Sequence, residues 1–359
     1  MKGVIITTII VLFSLPGFIN AQNYDSMKKD IETLKKNNEA LQHRLDILEK
    51  GIDDITWFER LSETAFVDKV FLTGPPLAKE KNPTAQGAGN PVKMWAYVFI
   101  PKGIDTDKKY PLIVFPHGGV HASMTTYFTH IIKELMAQQY IAVAVDYRGS
   151  TGYGESFYKK IDYGGLENED VDVSRRFMID NYSFVDESRV GIIGWSHGGM
   201  ISLMNVFEHP ENYKACFAGV PVSDLVARMG YKDDEYRDMY SADYHLGKTA
   251  EENVAEYRKR SPAWNAEKLK TPLLIHTNTN DEDVNVLEVE HLIKSLKAEG
   301  KKFEYEIFKD LPGGHSFDRL DTKKAKEIRI KIYDFLAKHL NPPKRIKSVD
   351  DINAAAYMK

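Results

Sequence analysis

The sequence predicts an α/β protein: a mostly parallel sheet covered by helices on both faces. Three observations predict it. Short runs that are apolar throughout recur between residues 92 and 308, segments with helical spacing separate them, and glycine-rich loops follow several of them. A strand buried on both sides loses the polar alternation of a half-exposed one. Alternation with helices makes its connections parallel crossovers.

From the start of the chain, residues 1–21 read MKGVIITTIIVLFSLPGFINA, with Lys2, an apolar stretch, Pro16-Gly17 and then Asn20-Ala21. That is the layout of a secretory signal, expected to be cleaved after Ala21, and it is short for a membrane span. The mature protein is then expected in the periplasm or outside the cell, with no stable membrane insertion. No cysteine lies near the cleavage point to carry a lipid.

Residues 22–56 form a helical segment with a heptad. With Met27, Leu34, Leu41, Leu48 and Ile55 as d, the a positions are Ile31, Asn38, Leu45 and Ile52. Leucines at d with one asparagine at a favour a parallel two-stranded coiled coil, because the buried amide is satisfied only in register with its twin. The flanking charges agree: Asp30 (g) would meet Lys35 (e) of the partner, and Arg44 (g) would meet Glu49 (e). The plainer reading is an amphipathic helix packed on its own chain. The asparagine favours a homodimer through residues 27–55.

Residues 57–91 read as a linker with an edge-strand candidate, DKVFL (68–72), ahead of the loop GPPLAKEKNPTAQGAGNP. The body, residues 92–341, supplies the strands VKMWAYVFI, YPLIVFPH, YIAVAVDY, RVGIIGW, ACFAGVP, TPLLIHT and FEYEIF. Between and after them, Tyr127, Ile131 and Leu135 share a helical face, as do Leu292 and Leu296, with Gly300 a stop signal. Ile328, Ile332 and Phe335 mark the last long helix. Residues 342–359 remain as a C-terminal tail.

Composition narrows the function. The chain has 359 residues, 43% hydrophobic and 28% charged, with a net charge of -4, enough for a large core and without the basic footprint of a nucleic-acid binder. Its one cysteine, Cys216, sits in the apolar run ACFAGVP, which excludes a disulfide framework and any multi-cysteine metal site. No metal site and no cofactor is expected. His117 and His121 are separated by glycines that break the helix a zinc pair would need.

The chemistry centres on GWSHGG, residues 194–199, between an apolar strand and a helical run. Gly-x-Ser-x-Gly at a strand-to-helix turn is a nucleophile elbow, which places Ser196 Oγ above the carboxyl end of the sheet and makes the fold an α/β-hydrolase. A serine hydroxyl needs a base and an acid to orient that base. His315, in LPGGHSF after the last strand, is the base. NDEDV offers Asp281, Glu282 and Asp283 as acids. FPHGGV supplies glycines whose N–H groups can face an oxyanion, and the N–H of His197 is the natural second donor. Met229 to Gly247, with four tyrosines, is either a cap over the site or an exposed helical insertion.

Taken in order, FPHGGV, DYRGSTGYGESF, GWSHGG, SPAWNAEKLKTPLLIH, NDEDV and GGHSF resemble the catalytic domain of the prolyl oligopeptidase family of serine peptidases, in its acylaminoacyl-peptidase branch. The resemblance covers residues 92 to 341. It implies Ser196 as nucleophile, His315 as base and Asp281, three before Val284, as the acid, with oxyanion donors at Gly119 and His197. The segment before the body has no counterpart of the family's β-propeller, and the loop after His276 is one residue longer than usual without its glycine. The expected activity is acyl transfer to water on short peptides or acylated amides. An esterase acting on small or carbohydrate-linked esters is the alternative, and a non-catalytic coiled-coil assembly protein the rival.

Overall fold

The computed structural model describes residues 16–80 and 82–357. Most of the run assigned to the export signal, residues 1–15, lies outside the described residues. Among the described residues one sheet has the strand order β1-β2-β4-β3-β5-β6-β7-β8. The strands are β1 (Ala65–Thr73), β2 (Lys93–Pro101), β3 (Tyr110–Val114), β4 (Ile141–Asp146), β5 (Val185–Trp195), β6 (Ala215–Gly219), β7 (Leu273–Asn278) and β8 (Glu304–Phe308). β2 runs antiparallel to both neighbours, and the pairings among β3 to β8 are parallel. This is the expected α/β-hydrolase arrangement.

The helices are α1 (Pro16–Leu61), α2 (Thr129–Ala137), α3 (Glu155–Tyr158), α4 (Leu166–Asn181), α5 (His197–Glu208), α6 (Leu225–Tyr231), α7 (Asp234–Ser241), α8 (Val254–Lys259), α9 (Val286–Ala298), α10 (Lys323–Leu340) and α11 (Val349–Ala356). Strand side chains alternate between two cores, as the period of two requires. Met94, Ala96, Val98, Leu112, Val114 and Ile192 face one side, covered by α4, α5 and α9 through residues such as Val171, Ile201 and Leu292. Tyr97, Phe99, Ile113, Phe115 and Ile193 face the other, against Ile131 and Leu135 of α2, Ile328 and Ile332 of α10, and Trp57 and Leu61 of α1.

Two segments set apart in the sequence belong to this body. The edge-strand candidate lies inside β1, which pairs along its whole length with β2 from Ala65↔Pro101 to Thr73↔Lys93, so residues 65–73 belong to the sheet and not to a linker. The tail carries α11, started by a capping box between Ser348 and Asp351 and anchored by buried Ile346 and Ile352.

α1 runs unbroken through residues 22–56. At 1.5 Å per residue its 46 residues span about 69 Å. Every residue from Tyr24 to Gln42 is exposed, and the apolar seam residues Met27, Ile31, Leu34, Leu41, Leu45, Leu48, Ile52 and Ile55 are all half exposed or more. Lys50 and Trp57, seven apart at the heptad's f position on the opposite side, are buried against the body. No helix among the described residues is long and apolar enough to cross a membrane.

Candidate active site

β5 enters its turn between β3 and β6, so its carboxyl end is central in the sheet. The residue after it, Ser196, has φ 59° and ψ −123°, a left-handed backbone that a non-glycine residue adopts only when its surroundings impose it. The glycines on either side make that possible. A Cβ on Gly194 would lie 2.2 Å from the Gly198 carbonyl oxygen, and one on Gly198 would lie 2.3 Å from that of Pro116. Ser196 starts α5, and its own N–H donates to Gly219 O at 2.9 Å.

The two donors expected for an oxyanion are both open. Gly119, at φ +75°, lies on the loop after β3, and His197 is the first residue of α5, where N–H groups lack intrahelical acceptors. Among the described residues neither N–H is occupied by a hydrogen bond. The loop holding Gly119 is fixed from beneath by the Tyr147 hydroxyl, 2.9 Å from His117 O and 3.1 Å from Gly119 O.

His315 sits in a one-turn segment, Gly314–Ser316, after β8. Its Nδ1 lies 2.8 and 2.9 Å from the two carboxylate oxygens of Asp281. A carboxylate only accepts, so Nδ1 carries the hydrogen and Nε2 is left as the base. Asp281 follows β7, its carboxylate is fully buried, and its Oδ1 also accepts the N–H groups of Asp283 and Val284, each at 2.9 Å. Glu282 turns to accept the His315 N–H. Asp283 is engaged elsewhere: its Oδ1 pairs with Lys232 at 2.7 Å and Arg228 at 3.0 Å, and its Oδ2 stays 3.7 Å from His315 Nε2. Burial works to raise the Asp283 carboxyl, but Arg228 and the Lys232 bond outweigh it and hold it below the usual carboxylate range. Asp281 is thus the acid that grips the imidazole.

Ser196 and His315 line one cavity of about 720 Å³, together with Gly118 and Gly119. No hydrogen bond joins Ser196 Oγ to His315 Nε2 among the described residues. In hydrolase sites that bond commonly shortens when substrate is bound.

The cavity's far wall is not the tyrosine-rich insertion. Tyr231 bonds Glu288, Tyr236 accepts from Arg228, Tyr240 is buried beside Tyr163, and Tyr244 packs near Tyr158 and His245; none lines the cavity. The wall is α1, through Asp46, Glu49, Lys50 and Asp53. Sequence reasoning missed these four residues. The available signal was Lys50 and Trp57 at f, because a tryptophan on the outermost position of a coiled coil calls for a third surface.

His197 carries a further feature. Its ring is fully buried against Tyr163, and Nε2 lies 3.5 Å from a carboxylate oxygen of Glu167. Burial, helped by the charge of Asp162, pushes the Glu167 carboxyl up to about 8.

A model of the prolyl oligopeptidase family matches residues 126–343, more than half of the chain. The acylamino-acid-releasing enzyme of Arabidopsis thaliana is 26% identical over 265 residues, 72% of this chain and 34% of its own. The peptidase YuxL of Bacillus subtilis is 30% identical over 204 residues, 56% of this chain and 30% of its own. The chain therefore spans about a third of the length of these relatives. Among solved structures, an acylaminoacyl peptidase in complex with Z-Gly-Gly-Phe-chloromethyl ketone superposes with a TM-score of 0.64 at 22% identity, covering 81% of this chain and 44% of that one. A dipeptidyl peptidase 4 of Porphyromonas gingivalis gives 0.60 at 22%, covering 79% and 37%.

Proposed function

The chain belongs to the prolyl oligopeptidase family, and from that premise we propose that it is a serine peptidase that cleaves short peptides or acylated amides through an acyl-Ser196 intermediate. One observation carries the reading. The imidazole of His315, gripped through Nδ1 by Asp281, shares a cavity with a hydroxyl held in strained backbone at the end of a central strand.

Ser196 Oγ attacks the scissile carbonyl carbon while His315 Nε2 takes its proton. The negative charge that forms on the carbonyl oxygen is met by the free N–H groups of Gly119 and His197, each such donor contributing roughly 3 kcal/mol to the transition state. His315 then gives the proton to the leaving amine, which departs as the acyl–Ser196 ester remains. Water, deprotonated by the same imidazole, releases the acid and restores the hydroxyl. Asp281 stabilises the imidazolium that forms.

Two further parts of the reading concern the N-terminal segment. Residues 1–21 direct export of the chain. Residues 27–55 pair with those of a second copy: an apolar seam left exposed along α1 while the f face is docked is the observation that favours it.

The test is a panel of aminoacyl and acylaminoacyl p-nitroanilides beside p-nitrophenyl esters, with labelling by a serine-reactive phosphonate. Amide turnover that falls on the order of a million-fold in Ser196→Ala, with folding unchanged, is the expected result. Ester turnover without amide turnover would make the protein an esterase, and an unlabelled serine would leave a non-catalytic assembly protein.

A further inference from the structure

Between β3 and α2 runs the loop of residues 115–128, which presents Gly119 to the cavity. Its far end is held by α1. Lys50 Nζ, on a side chain only 4% exposed, donates to Met124 O at 2.6 Å and pairs with Asp146 Oδ2 at 3.1 Å. Asp146, fully buried at the end of β4, accepts the Met124 N–H on Oδ1 at 2.6 Å. One ion pair thus grips both backbone groups of one loop residue. Two residues on, the Asp53 carboxylate accepts the Thr126 N–H at 3.0 Å and its hydroxyl at 2.5 Å. Room for the Lys50 stem comes from Gly152, where a Cβ would lie 2.6 Å from Lys50 Cβ.

We propose that α1 belongs to the catalytic apparatus, with Lys50 and Asp53 as positioning residues that hold the oxyanion loop in register with Ser196. The inference rests on the hydrolase reading above. Neither side chain touches the scissile bond. Their effect runs through the loop: Met124 and Thr126 are pinned by α1, Ala122 O accepts from Thr151 N–H at 2.8 Å, and Gly119 O is held by Tyr147. Releasing the α1 contacts leaves the loop tied on one side only. Transition-state donors act through placement, and an error of about 1 Å can cost a hundredfold. The anchoring of α1 itself does not depend on these two residues, because Trp57 and Leu61 are buried in the core and Lys69 pairs with Asp54 at 2.6 Å.

The full-length chain is the material for the test. Lys50→Met, Asp53→Ala and Asp53→Asn are compared with wild type on an acylaminoacyl p-nitroanilide, with kcat expressed per serine titrated by a phosphonate. The expected result for Lys50→Met and Asp53→Ala is a kcat lower by roughly ten- to a hundredfold, KM within about threefold, and a parallel loss of affinity for a peptide aldehyde that forms a tetrahedral adduct. Asp53→Asn, which keeps an oxygen for the Thr126 N–H, stays within about threefold of wild type. A purely structural role would lower the number of titrated serines and leave kcat per serine unchanged, and that outcome would overturn the proposal. Because Lys50→Met leaves Asp146 buried without its cation, Asp53→Ala decides alone if that variant does not fold. A wild type that the phosphonate fails to label would instead overturn the hydrolase reading and this one with it.

Discussion

Replacing Asp281 by asparagine is the most informative single change at this site, because the surroundings dictate how the amide must sit. Oδ1 of Asp281 accepts two backbone N–H groups, from Asp283 and Val284. Asparagine keeps its carbonyl oxygen there, still 2.9 Å from His315 Nδ1, and puts its NH₂ group in the place of Oδ2, the nearer partner at 2.8 Å. An NH₂ group donates, so where the ring meets it Nδ1 accepts and the ring hydrogen moves to Nε2. The nitrogen that faces the serine then carries a proton and cannot take another. A wrong-tautomer substitution in a triad lowers kcat by about 10⁴, equivalent to about 5 kcal/mol of barrier at 1.36 kcal/mol per tenfold. The variant keeps both backbone hydrogen bonds and should unfold within a few degrees of wild type. The assay is kcat per phosphonate-titrated serine on an acylaminoacyl p-nitroanilide, with Asp283→Asn in parallel. Asp283 is committed to Lys232 and Arg228, so its variant should stay within about tenfold. An Asp281→Asn enzyme within tenfold of wild type, or a larger loss in Asp283→Asn, would refute the assignment of the acid.

Two other predictions concern stability and association. The Glu167 carboxyl, pushed up to about 8 from an ordinary 4.5, is protonated in the folded chain while the unfolded chain ionises. Its contribution therefore grows more destabilising as pH rises from 4.5 to 8, by about 1.4 kcal/mol per unit, and levels off above 8. Urea unfolding of Glu167→Gln should show an advantage over wild type that widens across that window; a difference independent of pH would contradict the cause given. Leu34→Lys with Leu41→Lys should abolish association in sedimentation without changing turnover, and Asn38→Leu should tighten it while relaxing the choice of oligomer. A wild-type chain that sediments as a monomer would remove the seam's role.

The sheet was legible because its central strands are largely apolar: each of the seven runs read from residues 92 to 308 overlaps a strand, and DKVFL lies within the edge strand β1. Ser196 and His315 were legible because their loops are written in glycine, which marks backbone that cannot be built otherwise. The choice of Asp281 over its neighbours rested on the resemblance, since by residue type alone three acids in sequence differ only in which way the loop turns them. The helix within the tail of residues 342–359 was not legible: the box of Ser348 and Asp351 is a helix start, but the apolar anchors Ile346 and Ile352 are too few to show periodicity. The tyrosines of residues 229–247 left a cap and an exposed insertion both open. They look like pocket walls, yet their hydroxyls are used by Glu288, Arg228 and one another.

The helix α1 shows why periodicity alone could not decide between a paired stalk and a self-packed helix. The self-packed reading holds for the buried face, and the exposed seam is the face the paired reading would use. The leucine seam repeats every 3.5 residues and advertises itself, whereas the docked face is signalled only by Lys50 and Trp57, whose partners lie far along the chain: Lys50 meets Asp146, and Trp57 packs beside Tyr97 and Phe99. With a, d and f at 100° per residue, the seam and the docked face lie on opposite sides of the helix. A second copy seated on the seam would leave Lys50 and Asp53 on the loop and the cavity uncovered. Of the α1 residues in the cavity wall only Glu49, at e, flanks the seam, so a seam variant that dissociates the pair should keep wild-type kcat, and one that loses both would show that the partner's helix reaches the site.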